Sequence, residues 1–210
     1  ITQQCLNISL GLLASASIHK ALNNIHPNLT NPLRKYLADI LAFFLAVVGF
    51  LASALVTQRV FEGIPHIEDE VAYVWQAKAL ADGQLKISSP AHPKSLLIPF
   101  VVDFEGERFS KYPPGWPAVL SLGIQLGMRV WVNPLLAGLG VWLTYQLGKR
   151  HFSQLVGLLA AGLTVTSPFF LINAGSLLSH PLGLVLSALF ALAWLEAFWK
   201  NKAEATGTNP

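Results

Sequence analysis

Charge is scarce in this sequence. Only 12 % of its 210 residues are Asp, Glu, Lys or Arg, while 53 % are hydrophobic. That is about half the charged share of an ordinary soluble domain. Such a chain cannot cover a water-facing surface, and it is too apolar to be disordered. Cysteine is scarcer still. Cys5 stands alone, which excludes an intramolecular disulfide framework, so any face on an oxidising side must be held by packing. A basic stripe is also missing. The formal charge is +3, but the 14 Lys and Arg are scattered and no binding motif accompanies them, which excludes nucleic acid as a partner. No signal peptide is legible, since Ile8 to Ile18 has no basic flank before it and no small-residue cleavage site after it. With a mean hydropathy of +0.50, the composition points to the membrane.

Long apolar runs carry that reading. A spanning helix needs about 20 apolar residues. Leu37 to Val56 meets this, with Asp39 its one charge. Val130 to Leu147, Leu155 to Ile172 and Leu182 to Trp199 are three further candidates. The basic clusters Arg34/Lys35, Lys149/Arg150 and Lys200/Lys202 flank these runs and should all be cytoplasmic. Four spans satisfy that parity, with both ends inside and residues 57–129 outside. Trp131, Trp142, Trp194 and Trp199 fall near span ends, as interface aromatics do. Trp116 to Met128 is too short to cross and reads as a re-entrant or interfacial helix. Cys5 to Leu22 reads as a surface helix. The sequons at Asn7 and Asn28 lie on the cytoplasmic side of this scheme and read as chance.

The expected fold is therefore an all-α polytopic membrane protein with about four transmembrane helices. A large extracytoplasmic first loop carries surface helices and a short β-hairpin. Residues 1–36 form a cytoplasmic or interfacial segment, 37–199 the membrane region, and 200–210 a polar tail or truncation end. Ile1 in place of Met and the polar end suggest a piece of a longer protein.

The loop between the first two spans is unusual. Glu62 to Gly115 holds eight of the 11 acidic residues: Glu62, Glu68, Asp69, Glu70, Asp82, Asp103, Glu105 and Glu107. A simple connection needs only a few residues, so a long, ionisable, aromatic-rich loop reads as a functional cap. Glu68 to Gln84 is expected to be helical, with Gly83 as its stop and Trp75 and the Lys78 stem turned to lipid or the bundle. Alternation around Phe104-Glu105-Gly106-Glu107 predicts a hairpin. Tyr112-Pro113-Pro114-Gly115 then breaks regular structure.

The loop offers two candidate sites. The first is Glu68-Asp69-Glu70 beside His66. Helix capping accounts for one or two of these acids, and ionisable residues close to the bilayer account for the rest as functional groups. The second is Lys111 with Tyr112, supported by Arg108 and Arg59. A snorkelling lysine is the plain reading. A cation held at headgroup height to meet a lipid phosphate is the functional one. His180 is a third candidate because the topology puts it on the same outer face. His66, His92 and His180 with the acids leave a divalent metal open, but without tight ligand spacing.

The ordered set Pro65-His66-Ile67-Glu68-Asp69-Glu70-Val71-Ala72-Tyr73, Ser110-Lys111-Tyr112-Pro113-Pro114-Gly115-Trp116-Pro117 and Leu147-Gly148-Lys149-Arg150-His151-Phe152 resembles the N-terminal part of membrane-embedded GT-C glycosyltransferases. It is most similar to the bacterial relatives of dolichyl-phosphate-mannose–protein mannosyltransferases, which include the lipid A aminoarabinose transferase. The resemblance covers most of residues 35–200. It implies an inner-membrane enzyme that moves a sugar from a polyprenyl-phosphate donor to a hydroxyl acceptor, on a lipid, protein or glycan, on the outer face and with inversion. It implies Asp69 as base with Glu70 in support, and Lys111, Arg108 and Tyr112 at the donor phosphate. Glu68, His66, Tyr73 and His180 are supporting residues. Tyr112 stands where the family commonly has its lysine directly before Pro-Pro, and His180 where it commonly has a second acid. A transporter subunit and a non-catalytic scaffold are the competing classes. The nearly charge-free spans disfavour transport, which places ionisable groups at mid-bilayer.

Overall fold

A computed structural model describes residues 32–206 in backbone and 36–198 in side chain. The chain divides into two units, Ile1–Ala38 and Asp39–Pro210. Of the first, residues 32–38 are described and are helical. The expected surface helix at 5–22, Cys5 and both sequons lie outside the described residues. The second unit carries the sheet and every candidate site residue.

The chain is mostly helical with one small sheet. Helix α1 (Pro32–Arg59) ends at the loop that carries α2 (Glu68–Ala81), β1 (Ile87–Ser88), β2 (Val101–Phe104), β3 (Glu107–Ser110) and α3 (Gly115–Gln125). Then come α4 (Val132–His151), α5 (Gln154–Thr166), α6 (Pro168–Gly175) and α7 (His180–Thr206).

Two of these helices are long and apolar enough to cross a membrane, over Tyr36–Arg59 and His180–Phe198. The expected third span is broken. α5 and α6 pass the same test only as a pair, bent by 63°. Pro168 is the cause. It opens α6 and forces Ser167 into extended backbone, and the Ser167 hydroxyl then accepts the Phe170 N–H. The expected second span corresponds to α4, which has 20 residues but is diluted by Asn133, Thr144, Gln146 and three glycines. The expected polar tail from residue 200 continues α7 to Thr206.

Small residues let these helices close on one another. One core joins Ala42 and Ala46 of α1, Val141 and Tyr145 of α4, and Ala161 and Val165 of α5. A second joins Leu143 of α4 to Val185, Ala188 and Leu192 of α7. Near the C-terminal end of α1 the Thr57 hydroxyl donates to the Gly175 carbonyl at 2.8 Å, tying α1 to α6.

The expected loop helix forms, and Gly83 stops it. Its φ of +77° lets its N–H reach the Leu80 carbonyl. Tyr73, Val74 and Ala77 of α2 pack on Trp116 and Leu120 of α3, and Leu177 closes this core. Lys78 is exposed and Trp75 half-buried. The hairpin is present as β2 and β3, with Phe104 opposite Glu107. Glu105 and Gly106 both take positive φ, as a two-residue type I′ turn requires. β1 adds a third strand, in the order β1-β3-β2. At 11 residues, α3 is too short to span, as its length implied, and it packs against α2.

Candidate functional site

Three consecutive acids on a helix point about 100° apart, so α2 gives each a different environment. Glu68 is exposed, Asp69 half-buried and Glu70 buried.

Glu70 is 2 % exposed and accepts two backbone N–H groups, from His66 at 2.7 Å and from Leu177 at 3.0 Å. The first bond ties down the approach to α2, a capping role. The second fastens α2 to the turn between α6 and α7. That turn is held from several sides. Trp116 Nε1 donates to the Leu177 carbonyl, and Asn133 Nδ2 donates to the carbonyls of Ser176 and Leu178. Glu70 thus acts as a buried clamp that fixes where the start of α2 sits.

Asp69 is turned elsewhere. Its carboxylate accepts the Tyr112 hydroxyl, 43 positions along the chain. Partial burial and the Asp69 carboxylate push the Tyr112 phenol up to about 12, so it stays protonated and donates at neutral pH. Its ring packs on Tyr73 with centroids 4.7 Å apart.

The same tyrosine meets the lysine. The Lys111 ammonium stands 3.2 Å from the centroid of Phe100 and 4.8 Å from that of Tyr112, held by cation–π attraction on an exposed side chain. Phe100 takes a φ of +58° and accepts the Lys111 N–H at 3.0 Å. Gln76, buried on α2, steadies this segment through the Ser110 N–H at 2.8 Å. The two sites that the sequence suggests separately are therefore one. Tyr112 gives its hydroxyl to the carboxylate and its ring face to the cation.

The remaining candidates fall around or outside this centre. Arg108 is 5 % exposed and forks onto Asp103 across the hairpin, with Nε and Nη2 each 2.8 Å from a carboxylate oxygen. That pairing holds the Asp103 carboxyl below its ordinary range. A guanidinium so committed holds the hairpin together rather than a phosphate. His66 is exposed, with Nδ1 2.9 Å from the Ile64 carbonyl and its ring against Phe61. His180 is exposed at the start of α7, three residues beyond the Glu70 contact. Among the described residues no three His, Cys, Asp or Glu side chains converge on a metal position. Gln76 and Asn133 escaped the sequence reading. A polar side chain at the start of an apolar run was the signal for Asn133.

Comparison of the chain with protein-family models, curated proteins and solved structures finds no match.

Proposed function

We propose that the chain is the front part of an integral membrane glycosyltransferase. It moves a sugar from a polyprenyl-phosphate donor to a hydroxyl acceptor on the outer face. The observation that carries this reading is the single centre formed by Asp69, Tyr112 and Lys111. Asp69 takes the acceptor proton as the acceptor oxygen attacks the anomeric carbon. The bond from that carbon to the donor phosphate breaks on the opposite side, which inverts the configuration. Lys111 leaves its aromatic rest and meets the charge building on the departing polyprenyl phosphate. Tyr112 holds the carboxylate until an acceptor hydroxyl replaces it. Tyr73 supports the tyrosine and Glu70 the helix.

The topology proposed with it has four crossings. α1 runs outward, α4 inward, the bent α5–α6 pair outward and α7 inward, in the bacterial plasma membrane. This leaves the three basic clusters in the cytoplasm and the acidic centre outside.

Lys111→Ala in the full-length protein is expected to raise the donor KM roughly tenfold or more, since a hydrogen bond to a charged group is worth about 1.5–3 kcal/mol. Steady-state kinetics with varied lipid donor measures this. An unaltered donor KM removes Lys111 from the phosphate.

A further inference from the structure

The strand register that pairs Val101 with Ser110 sets Phe100 opposite Lys111, one step further along the hairpin. The Phe100 carbonyl accepts the Lys111 N–H at 3.0 Å, so the two strands stay together at that pair. There the chain turns. The Val101 N–H donates to the Ile98 carbonyl at 3.2 Å, which closes a four-residue turn over Ile98, Pro99, Phe100 and Val101. Proline suits the second place of a type II turn. The third place needs a positive φ, and glycine or asparagine ordinarily fills it. Here the third residue is Phe100, with a φ of +58°.

A bulky side chain in that backbone region is strained, and such strain persists only where the surroundings hold it. The half-buried Phe100 is held on two sides. Its ring meets Tyr112 edge to face, with centroids 5.8 Å apart, and its face lies 3.2 Å from the Lys111 ammonium. Glycine would form the same turn without strain, and leucine would fill much of the same space. Neither offers a ring face to a cation.

Lys111 has no stronger partner. Among the described residues the ion pairs engage Lys86, Arg108, Lys149 and Arg150, and no carboxylate stands within ion-pair reach of Lys111. Its ammonium rests on Phe100 and, further off, on Tyr112. The side chain is exposed, where cation–π attraction is weak. Hydrogen bonds between an ammonium and a phosphate are stronger. The aromatic rest therefore holds the lysine when no anion is present and yields to one.

We propose that Phe100 is an autoinhibitory rest for Lys111, so that a donor phosphate must draw the ammonium off this ring in order to bind. This rests on the reading of Lys111 as the donor-phosphate ligand. Phe100 acts through Lys111 and is a positioning residue.

Binding of farnesyl phosphate to the full-length protein in detergent, measured by titration calorimetry beside uncharged farnesol, tests it. Phe100→Leu removes the ring and keeps an apolar side chain. It should bind farnesyl phosphate about two- to fivefold more tightly than the unaltered protein, the factor that an exposed cation–π contact makes in affinity. Farnesol binding should not move, and the gain should vanish when Lys111→Ala is added. Phe100→Gly, which the turn accepts, should show the same gain and keeps the test open if Phe100→Leu does not fold. Equal or weaker binding of farnesyl phosphate in the folded variant overturns the proposal, because the ring then does not hold the cation back. So does a gain that survives Lys111→Ala, which is a packing effect alone. Lys111→Ala by itself separates the two levels. If it leaves farnesyl phosphate binding unaltered, the donor reading falls and this proposal with it. If it weakens binding while Phe100→Leu brings no gain, this proposal alone falls.

Discussion

Replacing Asp69 by Asn is expected to lower sugar transfer by about 10²–10⁴-fold, the usual contribution of a positioned general base. The amide is the same size, and its oxygen still accepts the Tyr112 hydroxyl that Asp69 accepts, so the fold should persist. It cannot take a proton from an acceptor. The neighbouring acids give contrasting results because α2 aims them differently. Glu68→Gln alters an exposed side chain and should leave both rate and stability within the ordinary scatter of surface changes. Glu70→Ala leaves the Leu177 N–H without the carboxylate that accepts it in a buried place, which costs about 1–3 kcal/mol. That variant should show a lowered Tm and a rate loss that tracks stability. Kinetics and thermal unfolding on the three variants, in the full-length protein, separate base from clamp from surface. Unchanged transfer in Asp69→Asn, with the fold intact, removes Asp69 from the role of base.

The second large effect is on packing. α4 and α5 touch backbone to backbone. A Cβ at Gly148 would stand 2.6 Å from the Gly157 Cα, and one at Gly157 would stand 2.6 Å from the Tyr145 carbonyl oxygen. Neither obstacle is a flexible side chain, so the helices must part, and the core of Val141, Tyr145, Ala161 and Val165 opens with them. Small residues at such crossings let membrane helices approach closely. Gly148→Val and Gly157→Val should each destabilise by about 1–3 kcal/mol or more. Gly162→Ala is the control, because nothing lies within 4 Å of its added Cβ. Thermal unfolding in detergent should show a clear loss for the first two and almost none for the third. Similar shifts in all three would mean that the α4–α5 contact is not close.

Local features of the loop were legible because they depend on few neighbours. Alternation marked the hairpin and Gly83 the end of α2, and Pro-Pro-Gly marked the start of α3. Partnerships over distance were not. Asp69 and Tyr112 are 43 residues apart, and nothing in either segment announces the other. Glu70 and Asp69 are chemically alike, and only the helical turn between them makes one a clamp and the other available. Arg108 looked like a phosphate ligand until the strand register set it opposite Asp103. β1 has two residues, too few for a period to show. The break at Pro168 could be anticipated from proline alone, but its 63° bend depends on Ser167 capping the next helix.

The central claim is that Asp69, Tyr112 and Lys111 face a lipid-borne phosphate. Photocrosslinking the membrane-embedded, full-length protein with a photoreactive polyprenyl phosphate tests it most directly, with adducts mapped by peptide mass spectrometry. Adducts should concentrate on the segment around Lys111 to Trp116, be displaced by unlabelled polyprenyl phosphate, and fall away in Lys111→Ala. Adducts spread over the lipid-facing sides of α1 and α7, with none near Lys111 and no competition, would contradict the claim.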